Sequence, residues 1–145
     1  MANLATVSNP VGIKGGFSYL ENDNLKNMWY KRDADQAKKI LTNLGYKLGK
    51  DGIFVDSKGN KLSFELIVPA GWTDWIAVSQ VLSSQLKQIG IDALVSQVDF
   101  GLYLERIKNK DFELAVSWVN YGINPYLFYE RWLHSRNAFT GDNRG

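Results

Sequence analysis

Cysteine is absent from the 145 residues, and histidine occurs once, at His134. Without cysteine the chain can form no disulfide, no zinc–thiolate site and no thiol nucleophile. A single histidine leaves metal sites short of ligands, and no serine and acidic residue are spaced around His134 as a catalytic triad requires. We therefore expect a protein that is not an enzyme and that holds no metal or cofactor.

Long apolar runs and blocks of like charge are also missing. The start, Met1-Ala2-Asn3, lacks the charged and apolar regions of a signal peptide, and no segment has the length of a transmembrane helix. The formal net charge is +2 with scattered lysines, so we expect no nucleic-acid partner. Hydrophobic residues make up 45% of the chain and charged residues 22%, which predicts an ordinary folded, soluble domain.

The chain divides at its first clear helix signal. Residues 1–31 are rich in Gly, Asn and Pro without a sustained period, and we interpret them as an irregular lead-in. Residues 32–145 are predicted to form a single α/β domain. Asp33 and Gln36 have the spacing of a capping box, and Gly45 is placed to end the helix that they begin.

Two further helices are predicted downstream. Thr73 is a candidate N-cap for the first of them, and Gly90 is placed to close it. Its apolar residues recur at three- and four-residue spacing and predict a buried face: Trp75, Val78, Leu82, Leu86 and Ile89. Asp99 is placed to cap a shorter helix that runs through Ile107.

Strand signals alternate with these helices. Runs at 53–55 and 62–68 flank a Gly-containing turn at 56–60 and predict a hairpin. Two more strands are predicted at 91–98 and 112–119. Strands that are separated by helices usually run parallel, so the order predicts an α/β fold with a small, mostly parallel sheet, a β-hairpin and flanking helices.

Aromatic residues concentrate where predicted strands end. Ligands of such sheets bind at the carboxyl ends of the strands, and three segments follow those ends here: 69–75, 99–103 and 120–129. Trp72 and Tyr121 lie in Gly-containing loops where a large ring is hard to bury, which favours ligand contact. Trp75 and Trp118 are explained equally well as core residues.

Several short motifs occur in an ordered set over about residues 30–135. They are Asp33-x-x-Gln-Ala-Lys-Lys-Ile-Leu to Gly45-Tyr46, Asp51-Gly52-Ile53, Gly59-Asn60-Lys61-Leu62, Gln85-Leu86-Lys87-Gln88-Ile89-Gly90-Ile91-Asp92, Tyr103-Leu104 and Lys110-Asp111-Phe112-Glu113-Leu114-Ala115. With this set the chain resembles family 5 of the extracellular solute-binding proteins. The resemblance implies one lobe of a periplasmic-binding-protein type II clamshell.

The resemblance also implies a function and partners. Members capture oligopeptides, nickel complexes or oligosaccharides outside the membrane and deliver them to an ABC permease. On that basis the chain is expected to be an engineered fragment, comprising most of one lobe, of a protein that is periplasmic or membrane-tethered on the outside, with its signal segment absent here. Its partners would be the solute, the permease subunits and the missing second lobe.

The expected solute is an oligosaccharide, for which a cello-oligosaccharide-like chain is one candidate. In peptide-binding members, an Asp three residues after the tryptophan that matches Trp118 holds the peptide's amino terminus. Tyr121 stands in that place here, and a phenol does not supply the anionic partner of an ammonium group. The segment 69–75 resembles the sugar-binding branch of the family. The predicted contacts are Trp72, Trp75, Trp118, Asn120, Tyr121 and Asn124.

Two alternatives stay open at this point. One is an oligopeptide- or dipeptide-binding protein of the same family. The other is a nucleic-acid or protein interaction module, which exposed aromatic residues on a strand face would favour.

Overall fold

A computed structural model describes residues 32–118 together with Tyr126, Tyr129, Glu130 and His134. Most of these residues belong to one compact unit, Asp33–Trp118, and the others belong to a second unit. In the second unit the backbone N–H of His134 donates to the carbonyl of Glu130 at 3.1 Å. The predicted lead-in and the predicted site residues Asn120, Tyr121 and Asn124 lie outside the described residues.

The unit Asp33–Trp118 is built from helices and strands in alternation. Its helices are α1 (Ala34–Asn43), α2 (Thr73–Gln88) and α3 (Phe100–Asn109), and its strands are β1 (Lys47–Leu48), β2 (Phe54–Val55), β3 (Ser63–Pro69), β4 (Asp92–Val98) and β5 (Leu114–Ala115). The main sheet has the order β4-β3-β5, and both pairings are parallel. The predicted α/β class, with a mostly parallel sheet and flanking helices, is confirmed.

Local capping signals place the starts of α1 and α3 as predicted. The Asp33 carboxylate accepts a hydrogen bond from the Gln36 N–H at 2.8 Å, and Gly45 follows the last turn of α1. The Asp99 carboxylate likewise accepts from the N–H of Gly101 at 2.8 Å at the start of α3. Each bond satisfies a backbone donor that a helix N-terminus otherwise leaves unpaired.

The predicted hairpin is only partly correct. The turn at 56–60 forms, with Asp56 accepting from the N–H groups of Lys58 and Asn60 and a single antiparallel bridge between Val55 and Lys61. The chain then leaves this pairing, because β3 joins the parallel sheet. The ladder partner of β2 is instead β1, a two-residue strand that is too short to show alternation in the sequence.

Strand β3 is the centre of the unit and is buried on both faces. Leu66, Ile67 and Val68 are at most 1% exposed, as expected for a parallel strand that is covered on both sides. Ile67 packs with Tyr103 and Ile107 of α3. Because successive side chains point to opposite faces, Leu66 and Val68 lie on the face opposite to Ile67.

Helix α2 differs from its prediction in its cap and in part of its buried face, because Trp75, Leu86 and Ile89 are half-buried as predicted but Val78 and Leu82 are exposed. Its N-cap position is Trp72, which makes no side-chain capping bond, so Thr73 as N-cap was wrong. The fully buried residue is Ser79, whereas Val78 is 57% exposed and Leu82 is 38% exposed. The Ser79 hydroxyl donates to the Trp75 carbonyl at 2.8 Å, so this small polar side chain is buried with its hydrogen bond satisfied.

Strand β5 is shorter than the predicted strand at 112–119. Only Leu114–Ala115 form a ladder with β3, and Phe112 is 37% exposed. The chain beyond β5 is held by two bonds at one residue: the Val116 N–H donates to the Ile67 carbonyl at 3.3 Å, and the Tyr103 hydroxyl donates to the Val116 carbonyl at 2.6 Å. These bonds direct the chain toward Trp118.

A charged cluster joins β3, α3 and the residue before β5, away from the carboxyl ends of the strands. The Arg106 guanidinium donates to the Glu65 carboxylate at 2.6 Å and to the Asp111 carbonyl at 2.8 Å. The Glu113 carboxylate accepts from the Glu65 N–H at 2.6 Å. The hydrogen bond from Arg106, followed by one from Ser96, lowers the pKa of Glu65 below its ordinary value.

Candidate aromatic binding site

The carboxyl edge of the sheet carries a group of five aromatic rings, which we call the aromatic cluster. Its members are Trp72, Trp75, Phe100, Tyr103 and Trp118. They come from the segments after β3, β4 and β5, which are separated along the chain. Parallel strands place these segments at one edge because their carboxyl ends point the same way.

Trp72 is the centre of the aromatic cluster. Its ring lies 5.2 Å from that of Phe100 in a stacked arrangement, with 23° between the planes. Its ring contacts that of Trp75 edge-on, with 4.7 Å between the ring centroids and 73° between the planes. The ring of Trp118 lies 6.2 Å away at 30°. These separations are those of favourable aromatic pairs, so the side chain of Trp72 is held by rings from three different segments.

Trp75 and Trp118 belong both to the aromatic cluster and to the border of the hydrophobic core. Their ring centroids are 5.7 Å apart, and both side chains pack against the core residues Ile67, Tyr103 and Ile107. Both are half-buried. The sequence left open whether these two tryptophans belong to the core or to a ligand surface, and the structure shows that they pack against the core while remaining partly accessible at the edge.

Tyr103 forms the base of the aromatic cluster. Its side chain is 1% exposed, and its hydroxyl is bonded to the Val116 carbonyl. Buried tyrosines generally require such a partner for the hydroxyl. This bond connects α3 to the segment that leads into Trp118, so the base of the cluster is tied to two of its elements.

Phe100 and Tyr103 lie in the predicted segment 99–103, but neither was selected from the sequence as a site residue, and Phe100 is the more exposed of the two. Its side chain is 39% exposed, stacks on Trp72, and lies 6.4 Å from Tyr103 with 9° between the ring planes. The signal was present in the sequence, because Phe100 directly follows the N-cap Asp99 at the end of a predicted strand. A residue at that position begins a helix at the carboxyl edge of the sheet.

The two acidic residues next to the aromatic cluster lie at the N-termini of helices. The Asp99 carboxylate is engaged with the backbone at the start of α3. Asp74 lies in the first turn of α2, where a negative charge is favourable to the helix dipole. Over the residues that the structure describes, no group of three or more His, Cys, Asp or Glu could hold a metal ion.

The predicted site residues divide into two groups. Trp72, Trp75 and Trp118 are brought together within the aromatic cluster. Asn120, Tyr121 and Asn124 lie outside the described residues, so their participation remains a prediction. Among the helices that can be described, none is both long and apolar enough to cross a membrane.

Comparison with known proteins identifies a family of solute-binding proteins. Residues 1–140 match the family described as bacterial extracellular solute-binding proteins, family 5 middle. A curated relative from Deinococcus radiodurans, described as a probable ABC transporter-binding protein, is 36% identical over 83 residues. That alignment covers 57% of this chain and 14% of the relative.

Solved structures with the same fold come from several bacteria. A mannohexaose-bound periplasmic oligopeptide-binding protein of Thermotoga maritima has a TM-score of 0.79 and 26% identity, over 90% of this chain and 25% of that one. The periplasmic binding protein MelB of Agrobacterium fabrum in complex with stachyose has a TM-score of 0.61 and 20% identity, over 66% of this chain and 15% of that one. NikZ of Campylobacter jejuni in complex with Ni(L-His) has a TM-score of 0.68 and 22% identity, over 80% of this chain and 23% of that one. The chain thus spans a quarter or less of the length of each relative named here.

Proposed function

Because this chain belongs to family 5 of the bacterial extracellular solute-binding proteins, we propose that the whole protein captures an oligosaccharide outside the membrane and delivers it to an ABC permease. The residues described here supply part of one side of the binding cleft. A second lobe of the same protein supplies the other side.

The aromatic cluster is the observation that carries this proposal. Trp72 and Phe100 present stacked rings at the carboxyl edge of the sheet, and Phe100 is 39% exposed. Sugar rings have apolar faces that lie favourably on aromatic planes in pockets of this kind. The solved relatives bound to mannohexaose and to stachyose support an oligosaccharide as the class of solute.

The uncharged residue at position 121 also favours a neutral solute. A bound peptide terminus needs an opposite charge when it is removed from water. The carboxylate of Asp99 is already engaged with the N–H groups of Gly101 and Leu102. In the sequence, the uncharged Tyr121 stands three residues after Trp118, where peptide-binding members of the family have an Asp.

Capture requires no chemical step. The two lobes close around a hinge, and the solute stabilises the closed state in proportion to its preference for that state over the open one. Aromatic surfaces contribute mainly in the closed state, where the second lobe excludes water from the solute. The permease then receives the closed, loaded protein.

The direct test is calorimetric titration of the whole protein with cellopentaose, mannohexaose and a mixed tetrapeptide pool in one buffer. We expect binding of at least one of the two sugars and none of the peptides. Binding of peptides alone would overturn the oligosaccharide and leave the family assignment intact.

The chain offers a matched pair of variants for locating the site. Phe100 and Phe112 are exposed to similar extents, 39% and 37%, but Phe100 follows a strand whereas Phe112 precedes one. We expect Phe100→Ala to weaken sugar binding about tenfold, equivalent to about 1.4 kcal/mol. Phe112→Ala should leave the affinity within about twofold, since it lies at the opposite edge.

Equal losses in the two variants would indicate a general effect on folding and not a sugar contact. Unchanged affinity in Phe100→Ala would remove Phe100 from the proposed site. Circular dichroism of both variants serves as the control for folding.

An oligopeptide is the second candidate, favoured by the description of the Thermotoga maritima relative as an oligopeptide-binding protein. The tetrapeptide titration tests it directly. A nucleic-acid interaction module is less well supported, because the aromatic residues of the described sheet do not form an exposed strand face and β3 is buried on both sides.

A further inference from the structure

Three rings of the aromatic cluster follow one another from the core to the exposed edge. The ring of Tyr103 lies 6.4 Å from that of Phe100 with 9° between the planes, and the ring of Phe100 lies 5.2 Å from that of Trp72 with 23° between the planes. Tyr103 is 1% exposed, whereas Phe100 is 39% exposed and Trp72 is half-buried. Tyr103 is therefore the inner end of this series of rings, and its burial keeps its side chain out of contact with a solute.

The hydroxyl of Tyr103 fixes the inner ring in one orientation. It donates to the Val116 carbonyl at 2.6 Å, and such a bond weakens steeply when its geometry departs from the ideal. The ring also packs with Ile67 and Ile107 in the core. Packing would hold a phenylalanine ring at this position as well, but the hydroxyl in addition ties the ring to a defined point on another segment of the chain.

The acceptor of this bond lies on the segment that leads to Trp118. The ladder between β3 and β5 covers only two residues of β5 and ends before Val116. The Val116 N–H donates to the Ile67 carbonyl at 3.3 Å, which is long for a bond of this type, so the bond from Tyr103 is the shorter of the two. Trp118 follows two residues later, and its ring lies 6.2 Å from that of Trp72. The position of Val116 thus sets where Trp118 enters the aromatic cluster.

The Tyr103 hydroxyl therefore joins two parts of the aromatic cluster that meet at Trp72. Phe100 contacts Trp72 from α3, the helix that carries Tyr103. Trp118 contacts Trp72 from the segment that Tyr103 holds at Val116. Because the energy of an aromatic pair depends on the separation and tilt of its rings, a shift of this segment changes the surface that the cluster offers.

We propose that Tyr103 is a positioning residue of the solute site. Its hydroxyl holds Trp118 at a fixed spacing from the Phe100–Trp72 pair without touching the solute. A solute that contacts both surfaces binds more tightly when they are already correctly placed, because less conformational freedom is lost on binding. The effect on affinity rests on the proposed function, whereas the effect on the rings rests on the described contacts alone.

Tyr103→Phe in the whole protein removes the hydroxyl and keeps the ring. We expect the affinity for mannohexaose to fall about three- to tenfold, as for the loss of one buried hydrogen bond. Tyr46→Phe is the matched control, because Tyr46 is half-buried and lies directly before β1, outside the aromatic cluster. It should leave the affinity within about twofold. Calorimetric titration measures both variants, and an unchanged affinity in Tyr103→Phe would overturn the inference.

A double-mutant cycle with Trp118→Ala separates positioning from a general loss of stability. If Tyr103 acts through Trp118, adding Tyr103→Phe to Trp118→Ala should weaken binding by less than about twofold further. The same loss of affinity in both backgrounds would show that the hydroxyl acts on the fold as a whole, and would overturn its role as a positioning group.

The indole rings report the same effect without any solute. Neighbouring indoles couple and give an exciton band in the circular-dichroism spectrum, and the part of this band that is lost in Trp72→Phe belongs to the aromatic cluster. We expect Tyr103→Phe to change that part and Tyr46→Phe to leave it intact. An unchanged band in Tyr103→Phe would overturn the inference. Failure of all sugar titrations would instead overturn the proposed oligosaccharide, and the tetrapeptide pool would then be the solute in the cycle.

Discussion

At the scale of single residues, Gly90 has a strict steric role. The residue has φ of +85°, and a Cβ there would collide with the ring of Phe54. The Gly90 carbonyl also accepts from the N–H of Phe54 at 2.8 Å. Since Phe54 is 3% exposed, this close approach connects the β1–β2 ribbon to the end of α2, and a side chain at position 90 would disturb it.

Gly90→Ala is expected to destabilise the protein by about 2–5 kcal/mol, through a left-handed backbone and an overpacked contact. Gly59→Ala is the matched control, because Gly59 has φ of +87° and no atom within 4 Å of a Cβ. Gly59→Ala should lower the free energy of unfolding by only about 1–2 kcal/mol. Urea unfolding measures both, and equal losses would show that the ring contact contributes nothing.

At the scale of elements, the charged cluster around Arg106 fixes α3 between two strands. Arg106 lies on α3, Glu65 on β3, and Glu113 just before β5, and the Arg106–Glu65 bond joins two half-buried side chains. Because the same helix begins with Phe100, this cluster sets the position of α3 and thereby that of one wall of the aromatic cluster. Removing it should loosen the helix before it unfolds the sheet.

The stability contribution of Glu65 should depend on pH. Arg106 lowers the pKa of Glu65 in the folded state below its ordinary value of 4.5, so the unfolded state takes up a proton first as the pH falls. The contribution is therefore fully present above about pH 4.5 and is lost as the pH falls through the folded pKa. Glu65→Gln should reduce the dependence of urea-unfolding stability on pH in the acid range.

Glu105→Gln is the control for this measurement, because Glu105 is an exposed carboxyl on the same helix. It should leave the pH dependence close to that of the wild type. A Glu65→Gln variant with an unchanged slope between about pH 5 and pH 3 would contradict the assigned role of the Arg106 bond.

At the scale of the whole molecule, the described unit presents an open aromatic edge and not a closed cleft. A solute bound with micromolar affinity gains about 8 kcal/mol, and a lobe that supplies half of the contacts must still offset the full entropy of association. The 145-residue chain alone is therefore expected to bind no sugar at micromolar concentrations, even where the whole protein does. Parallel calorimetric titrations check this, and micromolar binding by the chain alone would mean that its site is complete.

Much of the fold could be predicted because its signals are local. Asp33 and Asp99 cap the helices that follow them, and strands that alternate with helices pair in parallel. These features depend on interactions within a few residues or on the short connections between elements. The same local order placed three aromatic segments at one edge of the sheet, so Trp72, Trp75 and Trp118 could be selected before their contacts were known.

The sequence by itself thus determined the fold class, the family resemblance and the edge at which a site would lie. Only the tertiary structure decided which side of α2 is buried, that β2 pairs with β1, and that Phe100 stacks on Trp72. These outcomes depend on distances between elements that are remote along the chain. Apolar periodicity identifies the surfaces of a helix that avoid water, but the packing of neighbouring elements determines which of those surfaces is covered.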